Sequence, residues 1–198
     1  MRVIGGSAKG RRLSSLKGQR VRPTLGRARE TLFDILAPRI EGSRFLDLYA
    51  GVGTVGIEAL SRGAAYAAFV EADPQAVAVL TSNVEKCGFL DRARVIRRPV
   101  RRAGLGALRE EPFDIVFADP PYRAAQELEA LLRDLGERGG LLRAGGLLVI
   151  QRPARQPTPN TVGRFWKADS RKFGDTILDF YRDTKDTEDE ASAVRGQL

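Results

Sequence analysis

Apolar positions recur along this chain in short continuous runs and then at helical spacing, and turn residues mark each change. Phe45, Leu46 and Leu48 form a run that predicts a buried strand. Over 54–62, Val55, Ile57, Ala59 and Leu60 predict a helix, with Gly63 where a C-terminal cap belongs. The alternation then repeats. Residues 67–71 predict a second strand. Asp73 and Pro74 are an N-cap and first-turn pair for a helix through Lys86, closed near Gly88. A third strand is expected at 94–97, a weak helix at 104–109 and a fourth strand at 113–118. A helix at 125–135 would put Leu128, Leu131, Leu132 and Leu135 on one face, before a fifth strand at 146–151. Strands alternating with helices predict an α/β fold, a parallel sheet with helices on both sides.

The two ends read differently. Residues 1–22 predict a small hairpin extension, with Gly5-Gly6 and Lys9-Gly10 as turn material. Arg22-Pro23-Thr24 is a break, and Thr24 can cap a helix to about Ala37, whose apolar face holds Leu25, Ala28, Leu32, Phe33, Ile35 and Leu36. Pro38 is expected to end it. Residues 164–169 and 176–181 predict two strands around a turn near Lys172–Asp175, which makes the last strand antiparallel. The expected organisation is an extension at 1–22, a main domain at 23–182 and a disordered acidic tail at 183–198.

Composition narrows the class. A chain of 198 residues with 42% hydrophobic and 29% charged residues suits a soluble globular domain. The start lacks the apolar core of a signal peptide, and no apolar run is long enough for a bilayer, so a cytoplasmic setting without membrane is expected. The lone Cys87 excludes an internal disulfide, and the absence of histidine excludes a histidine base or ligand; no metal is expected. The net charge of +8 and pI near 10.1 suggest a polyanionic partner. The charge is segregated: Arg2, Lys9, Arg11, Arg12, Lys17, Arg20, Arg22, Arg27 and Arg29 all precede the first acid, Glu30. That one-sidedness favours a nucleic-acid footprint over a merely solvated arm.

Candidate chemistry lies at three predicted strand ends, where open parallel sheets bind ligands. Gly51, Gly53 and Gly56 form a G-x-G-x-x-G turn between strand and helix. Two chemistries use such a loop: pyrophosphate on the helix N-terminus, or the amino-acid part of S-adenosylmethionine. Asp47, just before it, would repel a pyrophosphate but suits an ammonium or sulfonium, although it can also simply cap the loop. Glu71 stands about twenty residues past the first glycine, the spacing at which an acid reaches ribose hydroxyls. Asp119-Pro120-Pro121-Tyr122 follows an apolar strand directly. Two prolines present its acid, carbonyls and ring with little freedom, which suits an exocyclic base amine: Asp119 and the Pro120 carbonyl accept its hydrogens and Tyr122 stacks on the base. Such a reaction needs positioning and electrostatics rather than a nucleophilic side chain, and Cys87 reads as an ordinary helix thiol.

The segments VIGGSAKGRRL, RPTLGRARETLFDIL, FLDLYAGVGTVGIEALSRGA, FVEADPQAV, FADPPY and KFGDTILDFY stand in the order found in RsmD-type enzymes, and the chain resembles that family over about residues 1–182. The resemblance implies a bacterial 16S ribosomal RNA guanine-N2 methyltransferase: a class I S-adenosylmethionine-dependent, Rossmann-like sheet of about seven strands, the last antiparallel, with an N-terminal β-hairpin. It implies S-adenosylmethionine as methyl donor and the 16S rRNA of the small ribosomal subunit as partner of a monomer. Carried over, Asp47, Gly51 and Gly53 would line the donor's amino-acid end and Glu71 would hold its ribose, with Tyr49, Ala50 and Ala72 also in the donor site. Asp119, Pro120, Pro121 and Tyr122 would hold the guanine amine. Arg2, Lys9, Arg11, Arg12, Arg20, Arg22, Thr24 and Arg27 would meet RNA. Three positions depart from the family pattern: Val52 for a small serine, Arg98-Pro99-Val100 where an acid or amide often meets the adenine, and Gln151 for a glutamate. The other readings are an amino-methyltransferase of another nucleic acid such as DNA adenine, a non-catalytic nucleotide-binding protein, and a dehydrogenase.

Overall fold

A computed structural model describes residues 1–16, 23–100, 108, 112–121, 130–133, 135 and 140–183. In chain order its elements are α1 (Pro23–Ile40), β1 (Arg44–Leu48), α2 (Thr54–Ser61), β2 (Tyr66–Glu71), α3 (Pro74–Cys87), a 3-10 turn (Leu90–Arg92), β3 (Ala93–Arg97), β4 (Phe113–Ala118), β5 (Leu142–Pro153), β6 (Thr161–Val162), β7 (Phe165–Phe173) and β8 (Thr176–Asp183). The eight strands form one sheet in the order β3-β2-β1-β4-β5-β8-β7-β6. β1 to β5 pair in parallel, whereas β8 runs antiparallel to β5 and β7 antiparallel to β8. The α/β class and the antiparallel last strand agree with the sequence reading. Eight strands replace about seven because the two-residue β6 adds to the edge of β7.

Strand alternation explains the two cores. Phe45, Phe69, Ile115, Phe117 and Val149 face α1, α2, α3 and the N-terminal segment. Leu46, Leu48, Val70, Val116 and Leu148 face the other side, with Leu131, Leu132 and Leu135. Residues 130–133 and 135 are helical, as expected. The rest of that predicted helix, most of 104–109 and the tail from 184 lie outside the described residues.

Several boundaries differ from expectation; β7 runs to Phe173 rather than 169, paired with β8 as far as Phe173 and Thr176. α1 passes through Pro38 to Ile40, because Ile40 is buried and its carbonyl accepts the Ser43 hydroxyl at 2.7 Å and the Ser43 N–H at 3.1 Å. β5 starts at Leu142 rather than 146, its pairing with β4 interrupted between Phe113 and Ile115 and left-handed Gly145 within the irregular stretch. β8 continues to Asp183, which is fully buried and ion-paired with Arg164 at 3.2 Å. The N-terminal segment folds back as the expected short hairpin, bridged at Arg2 and Arg12, with the Val3 N–H donating to the Arg11 carbonyl at 3.0 Å and the Leu13 N–H to that of Met1 at 2.9 Å. None of the described helices is long and apolar enough to cross a membrane.

Candidate active site

The strand order reverses between β1 and β4: the chain builds β1, β2 and β3 outward, then returns to the other side of β1. Such a switch point leaves a crevice beyond the carboxyl ends of the strands, and the loop 49–53 sits there. Tyr49 takes φ 60, the one non-glycine residue with positive φ among the described residues. Gly53 has φ 84, and a Cβ on it would stand 2.1 Å from Leu80 Cδ1, so conformation and packing both demand glycine. Gly51 has φ 56, but a Cβ there would meet open space, which leaves its backbone accessible to a ligand. Gly56 lets α2 pack on β2: its Cβ would fall 2.3 Å from the Phe69 ring.

Three carboxylates converge on this loop. Asp47 is 2% exposed, and its Oδ2 accepts the Gly56 N–H at 2.8 Å. Burial pushes its pKa up to about 7, with Asp119 and Glu71 adding repulsion against the lowering effect of the Gly56 N–H. Glu71 Oε2 accepts the Gly51 N–H at 2.8 Å, and its Oε1 accepts those of Ala72 and Asp73 at 2.7 and 2.8 Å. Three of its roughly four acceptor sites are thus taken and one on Oε2 is left. Asp119 follows β4 and is exposed on the cleft wall, with protein packed around the rest of it. That surrounding protein pushes its pKa up to about 7, opposed by the Gln151 amide, whose Nε2 donates to Asp119 Oδ2 at 2.7 Å.

A cleft of about 360 Å³ opens beside these groups, within the range of small-ligand sites. Tyr49, Glu71, Ala72, Asp119 and Pro121 line it, all expected from the sequence, together with Val70, Pro99 and Val100. Pro99 and Val100 form the wall where the sequence left the contact open. Asp47, Ala50, Gly53 and Pro120 are buried behind this surface or in the loop rather than on the cleft wall. Tyr122, Arg20 and Arg22 lie outside the described residues, as does the Thr24 side chain. Asp73 caps α3 as expected, accepting the Gln75 N–H at 3.0 Å, and Gly88 closes it in the left-handed conformation. Cys87 is a core thiol, its pKa raised by burial. Among the described residues no group of acids and cysteine could hold a metal ion.

The N-terminal segment is seated by polar side chains that the sequence reading passed over. Glu58, 1% exposed on α2, accepts the N–H groups of Ile4 and Gly5 at 2.8 and 2.7 Å and pairs with Arg62. Ser61 Oγ accepts the Ala8 N–H at 2.9 Å and donates to the Gly5 carbonyl at 2.5 Å. Asn83, fully buried on α3, accepts the Ser14 N–H at 2.8 Å and donates to the carbonyls of Ser14 and Val52, both at 3.0 Å. A polar residue at a core position of an apolar helix was the legible signal. Arg2, Lys9, Arg11, Arg12 and Arg27 are exposed. Arg11 donates to the Lys86 carbonyl at 2.6 Å, at the end of α3 remote from the cleft, so this segment lies along the flank of α3 rather than in the cleft.

Comparison with known proteins adds sequence and fold likeness. Residues 1–182 match the profile of the family described as Conserved hypothetical protein 95. A relative from Bacillus subtilis (strain 168), provisionally named an rRNA methyltransferase, is 38% identical over 183 residues, covering 92% of this chain and 98% of that protein. The protein named Ribosomal RNA small subunit methyltransferase D from Escherichia coli (strain K12) is 35% identical over 179 residues, covering 89% of this chain and 86% of its own length. A solved structure from Escherichia coli, provisionally named a methyltransferase, superposes with a TM-score of 0.81 at 33% identity, covering 92% of this chain and 97% of that one.

Proposed function

The chain belongs to the Conserved hypothetical protein 95 family, and from that premise we propose that it transfers a methyl group from S-adenosylmethionine to the exocyclic N2 amine of a guanine in 16S rRNA. The observation that carries this reading is the convergence of Asp47, Glu71 and Asp119 on one glycine loop and cleft. Three carboxylates repel a pyrophosphate and favour a cationic ligand. That disfavours the dehydrogenase reading and suits a donor carrying both an ammonium and a sulfonium.

The residues divide the work by position. The backbone from Tyr49 to Gly53, with Asp47 behind it, holds the donor's amino-acid end. Glu71, beside Ala72, offers its remaining acceptor site to ribose hydroxyls. Pro99 and Val100 supply an apolar wall for the adenine ring. When bound, S-adenosylmethionine supplies an electrophilic methyl whose C–S bond breaks, leaving its electron pair on sulfur, as the amine lone pair forms the N–C bond. Asp119 and the Pro120 carbonyl accept the amine's two hydrogens and turn its lone pair toward the methyl, with Pro121 stiffening the turn. Tyr122 stacks on the base. The proton then released passes to the Asp119 carboxylate, whose raised pKa fits it to take a proton near neutral pH. Arg2, Lys9, Arg11, Arg12, Arg20, Arg22 and Arg27, with the Thr24 hydroxyl, meet the RNA.

The test is methyl transfer from labelled S-adenosylmethionine to small subunits lacking the modification and to naked 16S rRNA, followed by nucleoside analysis. Label in N2-methylguanosine is the expected outcome, and the comparison of substrates identifies the form recognised. Label in another nucleoside would keep the amine chemistry and discard the guanine. Transfer to neither RNA, with donor binding intact, would refute the reading.

A further inference from the structure

Resting on that reading of Asp119, we propose that Gln151 is a positioning residue: its amide holds one oxygen of the Asp119 carboxylate and leaves the other turned to the incoming amine. The contact is direct, Gln151 Nε2 to Asp119 Oδ2 at 2.7 Å. Sheet register makes it possible. Phe117 pairs with Val149 and Ala118 with Ile150, so two residues beyond the Phe117–Val149 pair the side chains of Asp119 and Gln151 emerge next to one another on the same face.

The two partners are anchored unequally. Asp119 stands past the last paired residue of β4, and its own N–H makes only a long bond, 3.4 Å to the Leu48 carbonyl. Gln151 lies inside β5, paired through its backbone with Leu178 of β8. The next residue, Arg152, is buried and bound to Asp179, which also accepts the Thr158 hydroxyl at 2.5 Å. A rigid strand therefore aims a side chain at a carboxylate on a less constrained turn. The amide also matches the task, since its NH₂ can only donate and carries no charge that titrates. Among the described residues, the other groups near Asp119 are the acids Asp47 from β1 and Glu71 from β2, with Tyr49 lining the same cleft. The surrounding protein and the repulsion between Asp47 and Asp119 oppose an ionised Asp119, and Gln151 favours it.

The test follows kcat/KM against pH for the wild type, Gln151→Ala, Gln151→Asn and Gln151→Glu, using labelled S-adenosylmethionine and RNA from unmodified small subunits. Thermal stabilisation by S-adenosylhomocysteine reports an intact fold and donor site. Activity needs Asp119 ionised, so it falls as pH drops through the Asp119 pKa, and losing the amide raises that pKa. The acidic limb should move to higher pH in all three variants, furthest in Gln151→Glu, by about one pH unit or more, where two carboxyls share the contact. In Gln151→Ala kcat should fall about tenfold while stabilisation by S-adenosylhomocysteine persists. A role in packing alone would lower the melting temperature and leave the limb in place. Unmoved limbs in Gln151→Ala and Gln151→Asn, with transfer by the wild type intact, would overturn the positioning role alone. Absence of transfer by the wild type would remove the amine-binding reading and this role with it.

Discussion

Asp119 and Asp47 are both carboxylates at the carboxyl edge of the sheet, and their surroundings divide their tasks. Asp119 opens on the cleft, so Asp119→Ala should keep stabilisation by S-adenosylhomocysteine and lose at least about a hundredfold in turnover; normal turnover in that variant would remove the amine-orienting role. Asp47 is sealed against the Gly56 amide behind the donor loop, and its burial should also appear in stability. Unfolded, it gives up its proton near its ordinary 3.8; folded, it keeps it to about 7. Between those values the folded state binds more protons, so stability is greatest at the acidic side and declines as pH rises through the window. Asp47→Asn keeps an oxygen for the Gly56 N–H and removes the titration. Its melting temperature should vary less between pH 5 and 8 than that of the wild type, with a gain at neutral pH on the order of a few kcal/mol. An equal pH slope in the two proteins would contradict the placement of that charge.

At the scale of the element, α2 serves two ends of the molecule. Its N-terminus receives the glycine loop, and its last turns hold the N-terminal segment through Glu58 and Ser61. The paired glycines of that segment follow from this seat. Gly6 has φ 74, and a Cβ there would fall 1.7 Å from the Ser61 carbonyl oxygen, so any side chain must unseat the turn. Gly6→Ala should therefore cost about 2–3 kcal/mol and expose the first fourteen or so residues to limited proteolysis. Glu58→Ala strands two backbone donors and should cost a comparable amount. A protease pattern and melting temperature matching the wild type in both variants would show that the segment is held by other contacts. Glu58 and Ser61 belong to the EALSRGA run and Gly5 to the N-terminal GG turn, so two segments quoted for the family resemblance meet in this contact.

For the whole molecule, the net charge of +8 acts through its distribution. Lys9 and Arg12 are exposed on the segment seated against α2 and α3, outside the cleft. There they suit an RNA backbone that extends past the target base. Replacing both by alanine should weaken RNA binding and lower the slope of log affinity against log salt by about one to two, with S-adenosylhomocysteine binding unaltered. An unchanged salt slope would remove this segment from the RNA footprint. Arg11 is a poorer choice for the test, because its bond to the Lys86 carbonyl mixes a structural cost into the result.

The sequence by itself determined what neighbouring residues can dictate. The runs and periods named β1 to β4, α2 and α3; Asp73-Pro74 and Gly88 marked the ends of α3; and strand-end logic put Glu71 and Asp119 at the edge where the cleft opens. These features depend on backbone dihedrals and side-chain spacing within a few residues, so they are written locally. Tertiary structure alone decided the rest. Glu58 meets Ile4 across 54 positions and Gln151 meets Asp119 across 32. Pro99 and Val100 face Glu71 because β3 lies beside β2, and α1 runs past Pro38 because Ile40 has a core to enter. Each of these contacts joins segments far apart in the chain and is set by how the whole chain packs.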